Sequence, residues 1–131
     1  MKNESEQELL MQASMIEQHM AQLNEQLNMV ENTIDEMTFL SNSLTYIEDT
    51  KEKDNWTNLG HGIFLSSTIK EKKLLVQVGA GVFIKKLPSE AKKIISSQIK
   101  RMNEARIKLS AQQEFYHEAL SRIVDEVGHT H

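Results

Sequence analysis

Residues 9–44 read LLMQASMIEQHMAQLNEQLNMVENTIDEMTFLSNSL, and their spacing decides the fold. Leu9, Ile16, Leu23, Val30, Met37 and Leu44 recur at seven-residue steps, while Ala13, Met20, Leu27 and Ile34 each stand three residues before a member of that set. Such an alternation of three and four, held over more than four heptads, is the pattern of a coiled-coil seam, because it keeps one apolar stripe facing a partner helix. No Gly or Pro interrupts the chain from Ser5 to Asp49. The helix is therefore expected to run unbroken for roughly 65–70 Å at about 1.5 Å per residue. A chain of 131 residues cannot wrap a globule around that rod.

A second heptad series occupies the C-terminal third. Ile95, Met102, Leu109, Tyr116 and Ile123 repeat every seven residues, with Ile99, Leu120 and Val127 in the companion seam. Pro88-Ser89-Glu90 supplies a helix start with Ser89 as the expected N-cap, and Gly128 is the expected stop. Arg106 and Gln113 are polar occupants of the seam, where such groups weaken packing locally and fix register.

Between the two series the period falls to two. Ile63, Leu65, Ile69, Leu74, Val76, Val78, Val82 and Ile84 alternate with Phe64, Ser66, Thr68, Gln77, Phe83 and Lys85, as in strands with one buried face. Gly60-His61-Gly62, Lys70-Glu71-Lys72 and Gly79-Ala80-Gly81 punctuate the run as turns. Four short strands in two hairpins result, the first strand lying around Trp56 to Leu59.

The expected fold is mainly α: a long antiparallel two-helix coiled coil with a central segment of two β-hairpins. Its parts are an N-terminal helix over 1–52, a β assembly segment over 53–87 and a C-terminal helix over 88–131. Pairing positions whose numbers total about 139 sets Ile16 near Ile123, Leu23 near Tyr116, Val30 near Leu109 and Leu40 near Ile99. Charge favours the same pairing. Residues 1–54 hold 12 acidic and 3 basic side chains, and residues 55–131 hold 7 acidic and 12 basic.

Two hairpins leave unpaired edges and an apolar face that the helices do not cover, so other subunits are expected to cover them. Ile63, Leu65, Leu74, Val76, Val82 and Ile84 are the expected interface. The far ends of the helices carry more apolar residues than the seams need: Leu10, Met11, Met15, Phe115 and Ala119 lie off both seams, and five of the seven methionines fall in the first 29 residues. Either they widen the intramolecular seam, or they form an adaptable Met-rich grip for apolar partners.

Other chemistries find little support. With no Cys, neither a disulfide framework nor a thiolate metal site exists. His117, His129 and His131 lack a recognised ligand spacing, so no metal and no cofactor is expected. Gly79-Ala-Gly81 lacks the third glycine of a dinucleotide loop and precedes a strand. No residue pairs a nucleophile with a base, which argues against an enzyme. Lys70, Lys72, Lys73, Lys85, Lys86, Lys92 and Lys93 read as solvated edge lysines rather than a nucleic-acid patch, given a net charge of −4. The polar N-terminus and the lack of a long apolar run predict a cytoplasmic protein without membrane contact.

One stretch carries a family resemblance. Leu59-Gly60-His61-Gly62-Ile63-Phe64-Leu65, then Lys72-Lys73-Leu74-Leu75-Val76-Gln77-Val78-Gly79-Ala80-Gly81-Val82-Phe83-Ile84-Lys85-Lys86 and Pro88-Ser89-Glu90-Ala91, resemble the centre of α-type prefoldin subunits. The helix, double-hairpin, helix order extends the likeness over nearly the whole chain. Two hairpins favour the α type over the β type, which has one. Asn58 departs from the pattern, standing where a proline is expected. The resemblance implies a chaperone: a hetero-hexamer of two α-type and four β-type subunits that holds unfolded client proteins without ATP and delivers them to a group II chaperonin. Client-binding residues at the coiled-coil tips would be Leu9, Leu10, Met11, Met15, Ile16, Leu120, Ile123 and Val127. The competing expectation is a prefoldin-like adaptor that scaffolds specific folded partners.

Overall fold

The computed structural model describes the backbone of residues 2–129 and the side chains of residues 4–128. His131, and the side chain of His129, weighed above as metal ligands, lie outside the described residues. The elements are α1 Lys2–Asp49, β1 Asp54–Gly60, β2 Ile63–Thr68, β3 Leu74–Gly79, β4 Val82–Lys86 and α2 Pro88–His129. The chain divides into two compact units, one of Met1–Asp35 with Lys100–His131 and one of Glu36–Ile99.

In the first unit the two helices pair antiparallel. His19 stacks on Tyr116 with ring centroids 5.4 Å apart, and Gln113 Nε2 donates to Asn24 Oδ1. These pairs lie within a few residues of the expected register. Leu9, Ala13, Ile16, Met20, Leu27 and Val30 are half-buried and Leu23 is buried, so both heptad seams of α1 face the partner. Met102, Leu109, Gln113, Tyr116, Leu120, Ile123 and Val127 answer from α2. Two helices alone cover each seam residue from one side only, which is why nearly all remain half-buried.

Arg106 departs from its expected seam position: it is exposed, and Asn103 and Ala105 are half-buried nearby. A guanidinium keeps its charged head in water when its stem allows, leaving smaller groups at the seam. Gly128 does not stop α2, which continues to His129.

The second unit holds most of the buried side chains among the described residues. Leu44, Ala91 and Ile95 are buried, Leu44 at 4% exposure, with Met37, Leu74 and Ile99 packed against them. Leu40, expected to meet Ile99, is exposed instead, and Ser41 takes the half-buried position one residue on. Leu40 follows neither heptad series, so it falls outside the stripe that the seam buries.

Caps fix both helix ends in this unit. The start of α2 is set by Leu87 rather than Ser89. The Leu87 carbonyl accepts from the amides of Glu90 and Ala91, each at 3.1 Å, and Glu90 Oε1 accepts from the Leu87 amide at 3.3 Å. Pro88 therefore stands at the first helical position, where its fixed φ suits the helix and its missing N–H costs nothing, and Glu90 reaches back as in a capping box. At the end of α1 the last turn has no basic residue. Lys72 serves instead: its Nζ donates to the carbonyls of Glu48, at 2.9 Å, and Thr50. A cation there satisfies open carbonyls and opposes the helix dipole. Lys92 adds an ion pair to Glu48 at 4.0 Å.

The hairpins form two separate two-stranded sheets, β1 with β2 and β3 with β4. The first turns through His61 and Gly62, both at positive φ (52° and 79°), the sign pattern of a type I′ turn. The second turns through Ala80 and Gly81, with Gly81 at φ 76°. Each carries an irregularity before its turn, between Asn58 and Gly60 and between Gln77 and Gly79. Lys70-Glu71-Lys72 is not a hairpin turn but part of the link between the sheets.

Replacing Leu44 by Ala removes the most buried side chain of the Leu44–Ala91–Ile95 cluster. The expected loss is about 2–4 kcal/mol of stability, read as an earlier urea midpoint of helical circular dichroism. Met29→Ala, at an exposed position, is expected to leave the midpoint nearly unchanged.

Candidate functional site

Cross-strand partners share a face, so the register assigns each strand residue to one side of its sheet. In the first hairpin Trp56 pairs with Ser66 and Asn58 with Phe64, placing Trp56 and Phe64 together. They line one hollow of about 480 Å³. Thr57 pairs with Leu65 and Asn55 with Ser67 on the opposite side, where Thr57 Oγ1 and Ser67 Oγ share a 2.8 Å hydrogen bond. In the second hairpin Val76 pairs with Ile84 and Leu74 with Lys86 on one side, and Leu75 with Lys85 and Gln77 with Phe83 on the other.

Large apolar side chains therefore stand on both sides of both hairpins, and most are open to water. Ile63, Leu65, Val82 and Ile84, four of the six expected interface residues, are exposed. Leu74 and Val76 are half-buried, and Leu74 packs on the Leu44, Ala91 and Ile95 cluster. Trp56, at 68% exposure, with Phe64, Leu75 and Phe83 makes the opposite sides equally apolar. Trp56 and Leu75 were missed, and Phe64 and Phe83 were left out of the expected interface, because the sequence reading assigned one buried face to each strand. Their signal was available: aromatic and aliphatic residues occupy both phases of the alternation.

A groove of about 430 Å³ adjoins β3, lined by Leu40, Leu44, Leu75, Ile94, Ile95 and Gln98 among others. Clustered exposed apolar side chains of this kind mark interaction surfaces. Of the seven lysines expected to be solvated, Lys72 and Lys92 are engaged as described, and Lys85 pairs with Glu71 at 3.6 Å.

The expected client residues split by environment. Leu9, Ile16, Leu120, Ile123 and Val127 are half-buried along the helix seam, whereas Leu10, Met11 and Met15 are exposed, Met11 at 67% and Met15 at 59%. The off-seam Phe115 is exposed and meets the Tyr116 ring edge-on at 5.6 Å, while Ala119 is half-buried. Val124 is exposed and was missed, since it belongs to neither seam. Among the described residues no group of three or more His, Cys, Asp or Glu side chains is arranged to hold a metal ion. No described helix is long and apolar enough to cross a membrane.

Leu65→Asp combined with Ile84→Asp places charge on two exposed strand positions without touching the helical core. Assembly with partner subunits is expected to be lost, seen as a fall in mass by light scattering, while helical circular dichroism is retained.

Comparison with known proteins gives two findings. A family model described as Prefoldin subunit matches residues 9–129. Among solved structures, a chain of the filamentous prefoldin from Methanocaldococcus jannaschii superposes with a TM-score of 0.73 at 16% sequence identity, covering 88% of this chain and 97% of that one. Comparison with curated proteins finds no match.

Proposed function

Because this chain belongs to the prefoldin family, we propose that it is an α-type subunit of an ATP-independent holdase chaperone. Its hairpins, residues 53–87, join it to β-type subunits in a hexamer of two α-type and four β-type chains. The far ends of its helices, residues 1–52 and 88–131 in all, hold unfolded clients and pass them to a group II chaperonin in the cytoplasm. The observation that carries this reading is the division of exposed apolar residues. One set lies on the hairpins, suited to other subunits, and another lies on the helices at Leu10, Met11, Met15, Phe115 and Val124, where seam packing leaves it open.

Non-native chains present varied apolar segments, and a surface that accepts them needs adaptable side chains rather than a shaped pocket. Met supplies this through three rotatable bonds and a polarizable sulfur. Nothing in such binding requires nucleotide: weak contacts through several subunits add by effective concentration. The two hairpins support the α type.

A second reading is favoured by one observation. Phe39, the most exposed aromatic at 75%, and Tyr46 stand seven residues apart on α1 in the second unit. Residues at that spacing share a helix face, and two aromatics there suit a specific folded partner of an adaptor.

The test is suppression of aggregation of a chemically unfolded model protein by the chain assembled with β-type subunits. The intact complex is expected to suppress aggregation. Removal of residues 1–12 and 124–131 is expected to abolish suppression while the complex keeps its mass. An assembled complex that leaves aggregation untouched would favour the adaptor, which Phe39→Ala with Tyr46→Ala then probes by loss of a folded partner.

A further inference from the structure

Residues three and four apart are neighbours on a helix surface, and Glu4, Glu8, Met11 and Met15 follow that spacing along α1. All four are exposed. The half-buried seam residues Leu9, Ala13 and Ile16 turn another side of the helix toward α2, so the two methionines take no part in the intramolecular seam. The result is a continuous surface stripe with two carboxylates at one end and two thioethers at the other. Its surroundings have the same sign. Residues 2–19 and 114–129 hold eight carboxylates and only two permanent cations, Lys2 and Arg122. Glu17, Glu114, Glu118, Asp125 and Glu126 are all exposed.

We infer that this stripe selects among clients, taking apolar segments flanked by lysine or arginine. The inference rests on the holdase reading and narrows it to a chemical class. Met11 and Met15 cover the apolar side chains of the segment, and Glu4 and Glu8 receive the cations beside them. Apolar contact supplies most of the attraction, while the charged rim decides which segments dock and rejects acidic flanks by like-charge repulsion. Because the carboxylates are exposed, their contribution falls as salt rises.

Two synthetic peptides with one apolar core, flanked by lysines in one and by glutamates in the other, are titrated against the full chain by fluorescence anisotropy. The lysine-flanked peptide is expected to bind about fivefold more tightly at low salt, and the difference to shrink at high salt. Glu4→Gln with Glu8→Gln is expected to remove most of the difference, and Met11→Ser with Met15→Ser to weaken both peptides while circular dichroism stays unchanged. Equal binding of the two peptides overturns the inference and leaves the holdase reading standing. Failure of both peptides to bind, while the unfolded model protein is still held, overturns the stripe as the site; failure to hold either overturns the holdase reading itself. Self-association of the chain that Glu4→Gln with Glu8→Gln abolishes assigns the stripe to the lysines of a second copy and also overturns the inference.

Discussion

A two-stranded sheet has two faces and two free edges, and nothing in a hairpin can cover them from within. This chain carries two such sheets, unpaired with each other, whose strands place Trp56 and Phe64 on one side and Leu65 on the other, then Val76 and Ile84 on one side and Leu75 and Phe83 on the other. Leu74 finds cover against Leu44, Ala91 and Ile95, and Val76 is half-buried. The remaining strand residues of this set are exposed. Removing that much apolar surface from water is a driving force that the isolated chain leaves unused. In the function proposed above, assembly with other prefoldin subunits supplies the missing cover.

The helices have a different economy. Among the described residues of the helices only Leu23, Leu44, Pro88, Ala91 and Ile95 are buried, so partner choice rests on many half-buried contacts and a few polar ones. Gln113 and Asn24 meet across the seam, and His19 stacks on Tyr116. Gln113 is a polar occupant of the seam, and the alignment that brings it to the exposed Asn24 gives its amide a partner. Lys72 does comparable work at the end of α1. It ties the link between the two sheets to the carbonyls of Glu48 and Thr50, where a cation also offsets the helix dipole. Within the second unit, these caps tie the sheet link to the helix end without a large core.

Much of this was legible from spacing. The heptads of Leu9 to Leu44 and Ile95 to Ile123 marked the buried stripes, and the glycines at 60, 62 and 81 marked the turns, because periodicity and positive φ are properties of the local chain. Three features were not legible. Ser89 looked like the cap, yet Leu87 holds that position because Pro88 is better suited to the first helical turn. Arg106 fell on the heptad grid but is exposed, as a long charged side chain can be. The two-sided apolar character of the hairpins was masked by the assumption of one inner face, which holds for sheets packed within a chain rather than for strands covered by partners. At the helix ends the heptad grid separated Leu9 and Ile16, which pack, from Met11 and Met15, which are exposed. It did not show that Ala119, off both seams, is half-buried, because that depends on how the two helices meet.

Amide hydrogen exchange, compared between the chain alone and the chain mixed with β-type subunits, tests the central claim most directly. The account predicts that amides of residues 54–86 gain strong protection on mixing, because edges pair and faces are covered, while those of residues 4–20 change little. Unchanged exchange across residues 54–86 in an assembled complex would contradict it, since assembly would then proceed through some other surface.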